Sequence, residues 1–150
     1  MTGGDDLGIV DALAQLSFLT QHALAKHAAG QDLSLIQTRL LGVLRDREPT
    51  MQELARLLGL DKSSVTGLVD RAEKRGLVRR TPSRQDRRAV RVELSASGRR
   101  IGRRIADGFE ADVTSVTRSL SAAERKQLST LATRVVMSYA CPQAQADGNP

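Results

Sequence analysis

The sequence predicts a mainly α-helical chain with one small β-hairpin, and three observations predict it. Aromatic residues make up only 2% of a chain that is 40% hydrophobic, so the core must be built from Leu, Val, Ile and Ala, which suit helices better than strands. Apolar residues recur at three- and four-residue steps through several segments bounded by capping signals. One stretch breaks that rhythm: Val90, Val92 and Leu94 alternate with Arg91 and Glu93, the period of a half-exposed strand. A length of 150 residues suits a single folding unit whose core stands alone or merges with a partner's.

From Leu7 to about Lys26, the residues Ile9, Leu13, Leu16 and Leu24, with Thr20 between them and Val10 and Leu19 beside them, form a mostly apolar helical stripe that ends at Ala28, Ala29 and Gly30. Ser34 and Gln37 have capping-box spacing and open a helix bearing Ile36, Leu40, Leu41, Val43 and Leu44. Apolar on much of its circumference, this helix belongs at the centre of the domain, and the run Arg45 to Pro49 breaks it. Thr50 and Glu53 form a second capping box before a short helix through Leu54, Leu57 and Leu58 that stops at Gly59. Asp61 is a good N-cap for a helix from Lys62 to Lys74, with Val65, Leu68, Val69 and Ala72 on its inner face. Two short helices joined by Gly59 and Leu60 read as a helix-turn-helix.

Gly76 caps the second helix, Leu77 to Thr81 reads as a strand, and the polar run that starts with the strand-breaking Pro82 and reaches Arg88 reads as a loop. With the strand around Val92 it completes a basic hairpin, a wing, so the expected class becomes a winged helix-turn-helix plus a helical dimerisation region. Ser95 then caps a long helix whose stripe is Ile101, Ile105, Phe109, Val113 or Asp112, Val116 and Leu120. Ser121 and Glu124 form a third capping box, followed by Leu128, Leu131, Val135 and Met137 or Ser138. The first helix and these last two carry more apolar length than a small winged domain covers, which argues for burial against a second copy, with Ile9, Leu13, Leu16, Val116, Leu128, Leu131 and Val135 at the interface. The expected division is a dimerisation helix over 1–32, the winged region over 33–95, dimerisation helices over 96–139 and a flexible tail over 140–150.

Charge gives the first functional indication. Thirteen basic and three acidic residues lie between Arg71 and Arg104, an excess of ten in a chain whose net charge is +6, so one surface faces a polyanion and the remainder is mildly acidic. The single cysteine, Cys141, excludes an intrachain disulfide and a cysteine-built zinc site. The N-terminus lacks a secretory pattern and no apolar run is long enough to span a bilayer, so the chain is expected in the cytoplasm, away from membranes. There is no Gly-rich phosphate loop, no metal motif and no nucleophile-histidine pair, so neither an enzyme nor a cofactor is expected.

A recognition helix needs small polar or basic groups on its outer face to approach base edges. Ser63, Ser64 and Thr66 supply hydroxyls near the helix N-terminus, while Lys62 and Arg71 suit phosphates. Ser63 also fits a capping role beside Asp61. In the wing, Arg84, Arg87 and Arg88 suit a narrow minor groove, and Asp86, unfavourable beside phosphate unless paired, braces an arginine, most simply Arg88.

The run from Leu33 to Gly98, above all LARLLGLDKSSVTGLVDRAEKRGLVRR and the later Asp86-Arg87-Arg88 followed by a strand and Leu94-Ser95, resembles the multiple antibiotic resistance regulator (MarR) family. The resemblance implies a triangular homodimer on a palindromic double-stranded operator, acting as a repressor that a small phenolic or anionic effector releases. It also implies a pair between Asp86 and Arg88, with Arg88 in the minor groove. A cleft between dimer base and winged lobe would place His22 near an acidic effector, with Gln37 and Arg39 close by; a satisfied or exposed His22 and an ordinary ion pair at Arg39 are the alternatives. Two departures stand out: Gly67 replaces the basic residue the family often carries after the recognition-helix threonine, and the first helix lacks the cysteine of the peroxide-sensing branch. A winged module that binds protein and a non-specific architectural DNA binder are the rival functions.

Overall fold

The computed structural model describes residues 7–140. Eight elements follow in order: α1 (Ile9–Ala29), α2 (Leu35–Leu44), α3 (Met51–Leu58), α4 (Lys62–Lys74), β1 (Val78–Pro82), β2 (Val90–Leu94), α5 (Ala96–Val116) and α6 (Ala122–Ala140). The chain divides into two compact units at Asp112 and Val113, inside α5.

In the first unit, α1 begins after Gly8 and ends at Ala29 with Gly30 as its C-cap, within the expected stop at Ala28, Ala29 and Gly30. Both expected capping boxes form. The Gln37 N–H donates to Ser34 Oγ while the Ser34 N–H donates to Gln37 Oε1 at 2.9 Å, and Thr50 and Glu53 repeat the arrangement at the start of α3. Gly59 ends α3 in the left-handed region at φ 66°, which a side chain would disfavour. Two residues later Asp61 accepts the Ser64 N–H at 2.8 Å and opens α4.

The hairpin differs from expectation at both ends of its first strand. Leu77 is buried at the end of α4, its N–H bonded to the Ala72 carbonyl at 3.0 Å behind Gly76 at φ 71°, so it closes the helix instead of starting the strand. Pro82, expected to open the loop, is the last residue of β1 and lies opposite Val90, in an antiparallel register that starts at Val78 and Leu94. β1 is an edge strand, so the missing proline N–H is tolerated on its outer side.

The core joins Leu40 of α2, Leu54 of α3, Val65, Leu68 and Val69 of α4, and Val92 of β2, all essentially inaccessible. Burial of each such side chain contributes roughly 1.5–3 kcal/mol. At the start of α5, a Cβ on Gly98 would stand 2.0 Å from the Leu77 carbonyl oxygen, so only glycine lets this helix approach the residue before β1 so closely. Along α1, by contrast, Ile9, Val10, Leu13, Leu16, Phe18 and Leu19 remain exposed.

In the second unit, the Ser121 N–H donates to Glu124 Oε2 at 2.7 Å, completing the third capping box at the start of α6. Residues 121–139 are all exposed, Leu128, Leu131 and Val135 among them. Ala140, assigned to the tail, ends α6; the rest of that tail, including Cys141, lies outside the described residues. Among the described residues, no helix is long and apolar enough to cross a membrane.

Candidate nucleic-acid interface

The four buried residues of α4 leave Lys62, Ser63, Ser64, Thr66 and Arg71 exposed together on its other side, all in the first compact unit. Their hydrogen bonds sort them by chemistry. Ser63 Oγ donates to Asp61 Oδ1 at 2.8 Å, Ser64 Oγ donates to Asp61 Oδ2 at 2.9 Å, and Thr66 Oγ1 donates to the Lys62 carbonyl at 2.8 Å. The three hydroxyls thus spend their protons within the helix and present oxygen lone pairs outward. The Ser64 backbone N–H, then the Ser63 and Ser64 hydroxyls, hold the Asp61 carboxyl down at about 2.

Arg71 is differently placed. Its guanidinium passes beside Gly67, one helical turn earlier: a Cβ at Gly67 would sit 3.2 Å from Arg71 Nη1. The neighbouring acids are engaged elsewhere, because Arg80 of β1 reaches back to Asp70 and Glu73, each at 2.6 Å. Partial burial opposes the charge on Arg80, but its bonds to Asp70 and Glu73 prevail and raise its pKa. This clamp, which ties the wing's first strand to the recognition helix, escaped sequence reasoning because its partners are seven and ten residues away on another element.

The wing loop, residues 83–89, is built around Ser83. The Ser83 N–H donates to the Ala89 carbonyl at 2.9 Å, and Ser83 Oγ, buried, faces the Gln85 and Asp86 N–H groups at 3.3 and 3.4 Å. Asp86 does brace residue 88, but through the main chain: Asp86 Oδ1 accepts the Arg88 backbone N–H at 2.9 Å, and the expected carboxylate–guanidinium pair is not formed. The tight turn gives the carboxylate a near amide, while the long Arg88 side chain extends into solvent. Arg84, Arg87 and Arg88 are all exposed, and among the described residues none of them has a carboxylate partner. Arg91 fastens the wing base by donating to the Glu48 carbonyl at 3.0 Å, beside the Val92 N–H bonded to the Pro49 carbonyl.

A cleft of about 740 Å³ lies between α1, α2 and α5 in the same unit. Leu24, Leu41, Ile105 and Phe109 supply apolar walls, and Arg39, Arg45, Arg47, Arg99 and Arg103 supply five guanidiniums against one carboxylate, Asp46, which Arg45 binds at 2.9 Å. Of the three residues expected around an effector, only Arg39 lines this cleft. Gln37 is committed to the α2 capping box and His22 is exposed on α1 outside it. The histidine that meets α5 is His27, whose Nε2 lies 2.8 Å from Asp112 Oδ2, with Lys26 at 3.1 Å from the same oxygen. Those two bonds, His27 first, hold the Asp112 carboxyl below its ordinary range.

Residues 31–89 match the family model described as the MarR family. Over 96 residues the chain is 35% identical to the HTH-type transcriptional repressor NicR of Pseudomonas putida, covering 59% of this chain and 61% of that relative, so it spans less than two thirds of the relative's length. Its fold is similar to that of wild-type MarR from E. coli in the apo form, with a TM-score of 0.72 at 23% identity over 88% of this chain and 98% of that one. A mutant of the same E. coli protein complexed with operator DNA matches with a TM-score of 0.69 at 24% identity, over 85% and 92% of the two chains. NadR in complex with 4-hydroxyphenylacetate matches with a TM-score of 0.72 at 22% identity, over 90% and 96%.

Proposed function

We propose that this chain, whose residues 31–89 match the MarR family model, is a MarR-type regulator of transcription: cytoplasmic, homodimeric and sequence-specific in binding DNA. It represses by occupying a palindromic operator, and a small phenolic or anionic effector releases it. The observation that carries this reading is the one compact unit in which the hydroxyl-bearing and basic face of α4 stands with a wing whose Arg84, Arg87 and Arg88 are unpaired among the described residues. Such uncompensated cations suit phosphates, and the exposed helix face suits a major groove. Lys62 and Arg71 flank the hydroxyls, and the wing enters the minor groove.

Dimerisation is supported by the apolar residues left exposed on α1 and, separately, by Val116 and the exposed Leu128, Leu131 and Val135 of the second unit. In this division, 1–32 and 96–139 hold the dimer and 33–95 hold DNA. The effector reading rests on the arginine-rimmed, apolar-walled cleft that includes Arg39, which suits a carboxylate on an aromatic or aliphatic body. The complexes of relatives of the same fold with operator DNA and with 4-hydroxyphenylacetate point the same way.

Selection of genomic fragments by the purified chain, followed by footprinting of the tightest, tests the proposal. A protected palindrome with half-sites about one helical turn or a multiple of it apart supports it, and no enrichment over random duplex rejects it in favour of an architectural or protein-binding role. Titrating 4-hydroxyphenylacetate into the complex is the first effector probe. Release by wild type and retention by Arg39→Ala support the cleft.

A further inference from the structure

The recognition helix has a gap in its outer ridge. Ser63, Gly67 and Arg71 follow one another at four-residue steps on one face of α4, and helical side chains lean towards the N-terminus. Arg71 therefore reaches back along the ridge, and its guanidinium lies where a side chain at residue 67 would be, 3.2 Å from that residue's Cβ position. The empty position brings the guanidinium forward to the N-terminal half of the helix, the part that meets base edges in a major groove.

Two further observations decide what the group does there. First, the hydroxyl protons of Ser63, Ser64 and Thr66 are bound to Asp61 and to the Lys62 carbonyl, so these side chains face outward as acceptors. Guanine offers only acceptors, N7 and O6, at its major-groove edge, and so requires a donor. Second, Asp70 and Glu73, the acids flanking Arg71 in sequence, are both held by Arg80, and among the described residues the Arg71 side chain has no carboxylate partner and no hydrogen bond. Lys62 remains as a point charge at the first position of the helix, whereas Arg71 carries a planar fork of donors.

The geometry points to Arg71, carried forward over Gly67, as the group that reads a guanine in each half-site. On this view Gly67, which leaves its own place on the recognition face without a cation, lets one from the next turn fill it, and the Gly67–Arg71 pair sets operator preference. The inference rests on the operator reading above and gives Arg71 a base-reading role in place of a phosphate contact.

Selection from a random duplex library at one fixed salt concentration tests it, with the wild-type chain, Arg71→Met and Gly67→Gln. The wild type is expected to select a guanine at one position of each half-site, and 7-deazaguanine there, which lacks the N7 acceptor, is expected to weaken binding about five- to 150-fold. Arg71→Met keeps the length of the side chain and removes every donor; Gly67→Gln fills the gap with a better helix former, so its thermal midpoint holds or rises. Both are expected to lose the guanine preference, so that 7-deazaguanine at that position no longer weakens their binding. If either folded variant keeps the preference, the inference is overturned and Arg71 grips a phosphate; Arg71→Met decides alone should Gly67→Gln fail to fold. If the wild type selects no duplex over random, the operator reading falls together with this one, so the two failures are distinguishable.

Discussion

His27 and Gly108 meet face to face: a Cβ on Gly108 would stand 2.4 Å from His27 Nδ1, so the imidazole occupies space that only a glycine on α5 leaves open. From that seat His27 bonds Asp112 one turn further along α5 at 2.8 Å. Gly108→Ala should therefore destabilise the fold by about 1–3 kcal/mol, although alanine alone would favour a helix interior by about 0.5–1 kcal/mol. His27→Ala together with Gly108→Ala should recover most of the loss. Urea unfolding of the four chains of the cycle checks this, and additive effects would contradict the contact.

Asp61 makes acid stability sensitive to one cap. Its carboxyl titrates at about 2 against an ordinary 3.8, held there first by the Ser64 N–H and then by the Ser63 and Ser64 hydroxyls. The ionised form is the one the fold prefers, so its contribution is fully present above the unfolded value and disappears as pH falls from about 3.8 towards about 2. Asp61→Asn, which still caps the helix, should show a shallower loss of thermal midpoint across that window, measured by circular dichroism, and Asp61→Ala a lower midpoint at neutral pH.

The main-chain bond between Asp86 and Arg88 separates shape from charge in the wing. Asp86→Asn keeps an oxygen for the Arg88 N–H and removes a negative charge, so DNA affinity should hold or rise. Asp86→Ala should lower it by loosening the turn. Arg88→Ala should weaken binding and reduce the salt slope by about one ion. Fluorescence anisotropy over a salt series distinguishes these outcomes, and an unchanged slope for Arg88→Ala would remove that residue from the interface.

Exposed apolar residues on α1 and α6 give the assembly prediction. Leu13→Asp and Leu131→Asp change positions that are 49% and 47% exposed in the single chain, so neither should unfold the winged core. Each should raise the fraction of monomer in sedimentation velocity and weaken operator binding in parallel. A variant that is fully monomeric and binds DNA as wild type does would contradict a dimeric operator complex.

Much of the fold was legible because its signals are local. Capping at Ser34, Thr50, Asp61 and Ser121, the left-handed glycine at residue 59 and the inner face Val65, Leu68, Val69 and Ala72 each depend on residues within a few positions of one another. The strand boundaries at Leu77 and Pro82 were misplaced because a helix-closing bond and an edge position decide them, and neither has a sequence period. The expected effector cluster came apart for a similar reason: Gln37 was already half of a capping box, and His22 and His27, five residues apart on one helix, differ in which of them meets α5.

What the sequence by itself determined, then, is the order and kind of the elements, the caps that start them and the basic character of one stretch, all consequences of spacing along the chain. Tertiary structure alone decided which charges neutralise one another and which remain free. Arg80 claims Asp70 and Glu73, Asp86 turns to a backbone amide, and Arg71 is left to lie over Gly67. Such pairings depend on distances of a few ångströms between side chains, which folding sets and the spacing of residues along the chain does not.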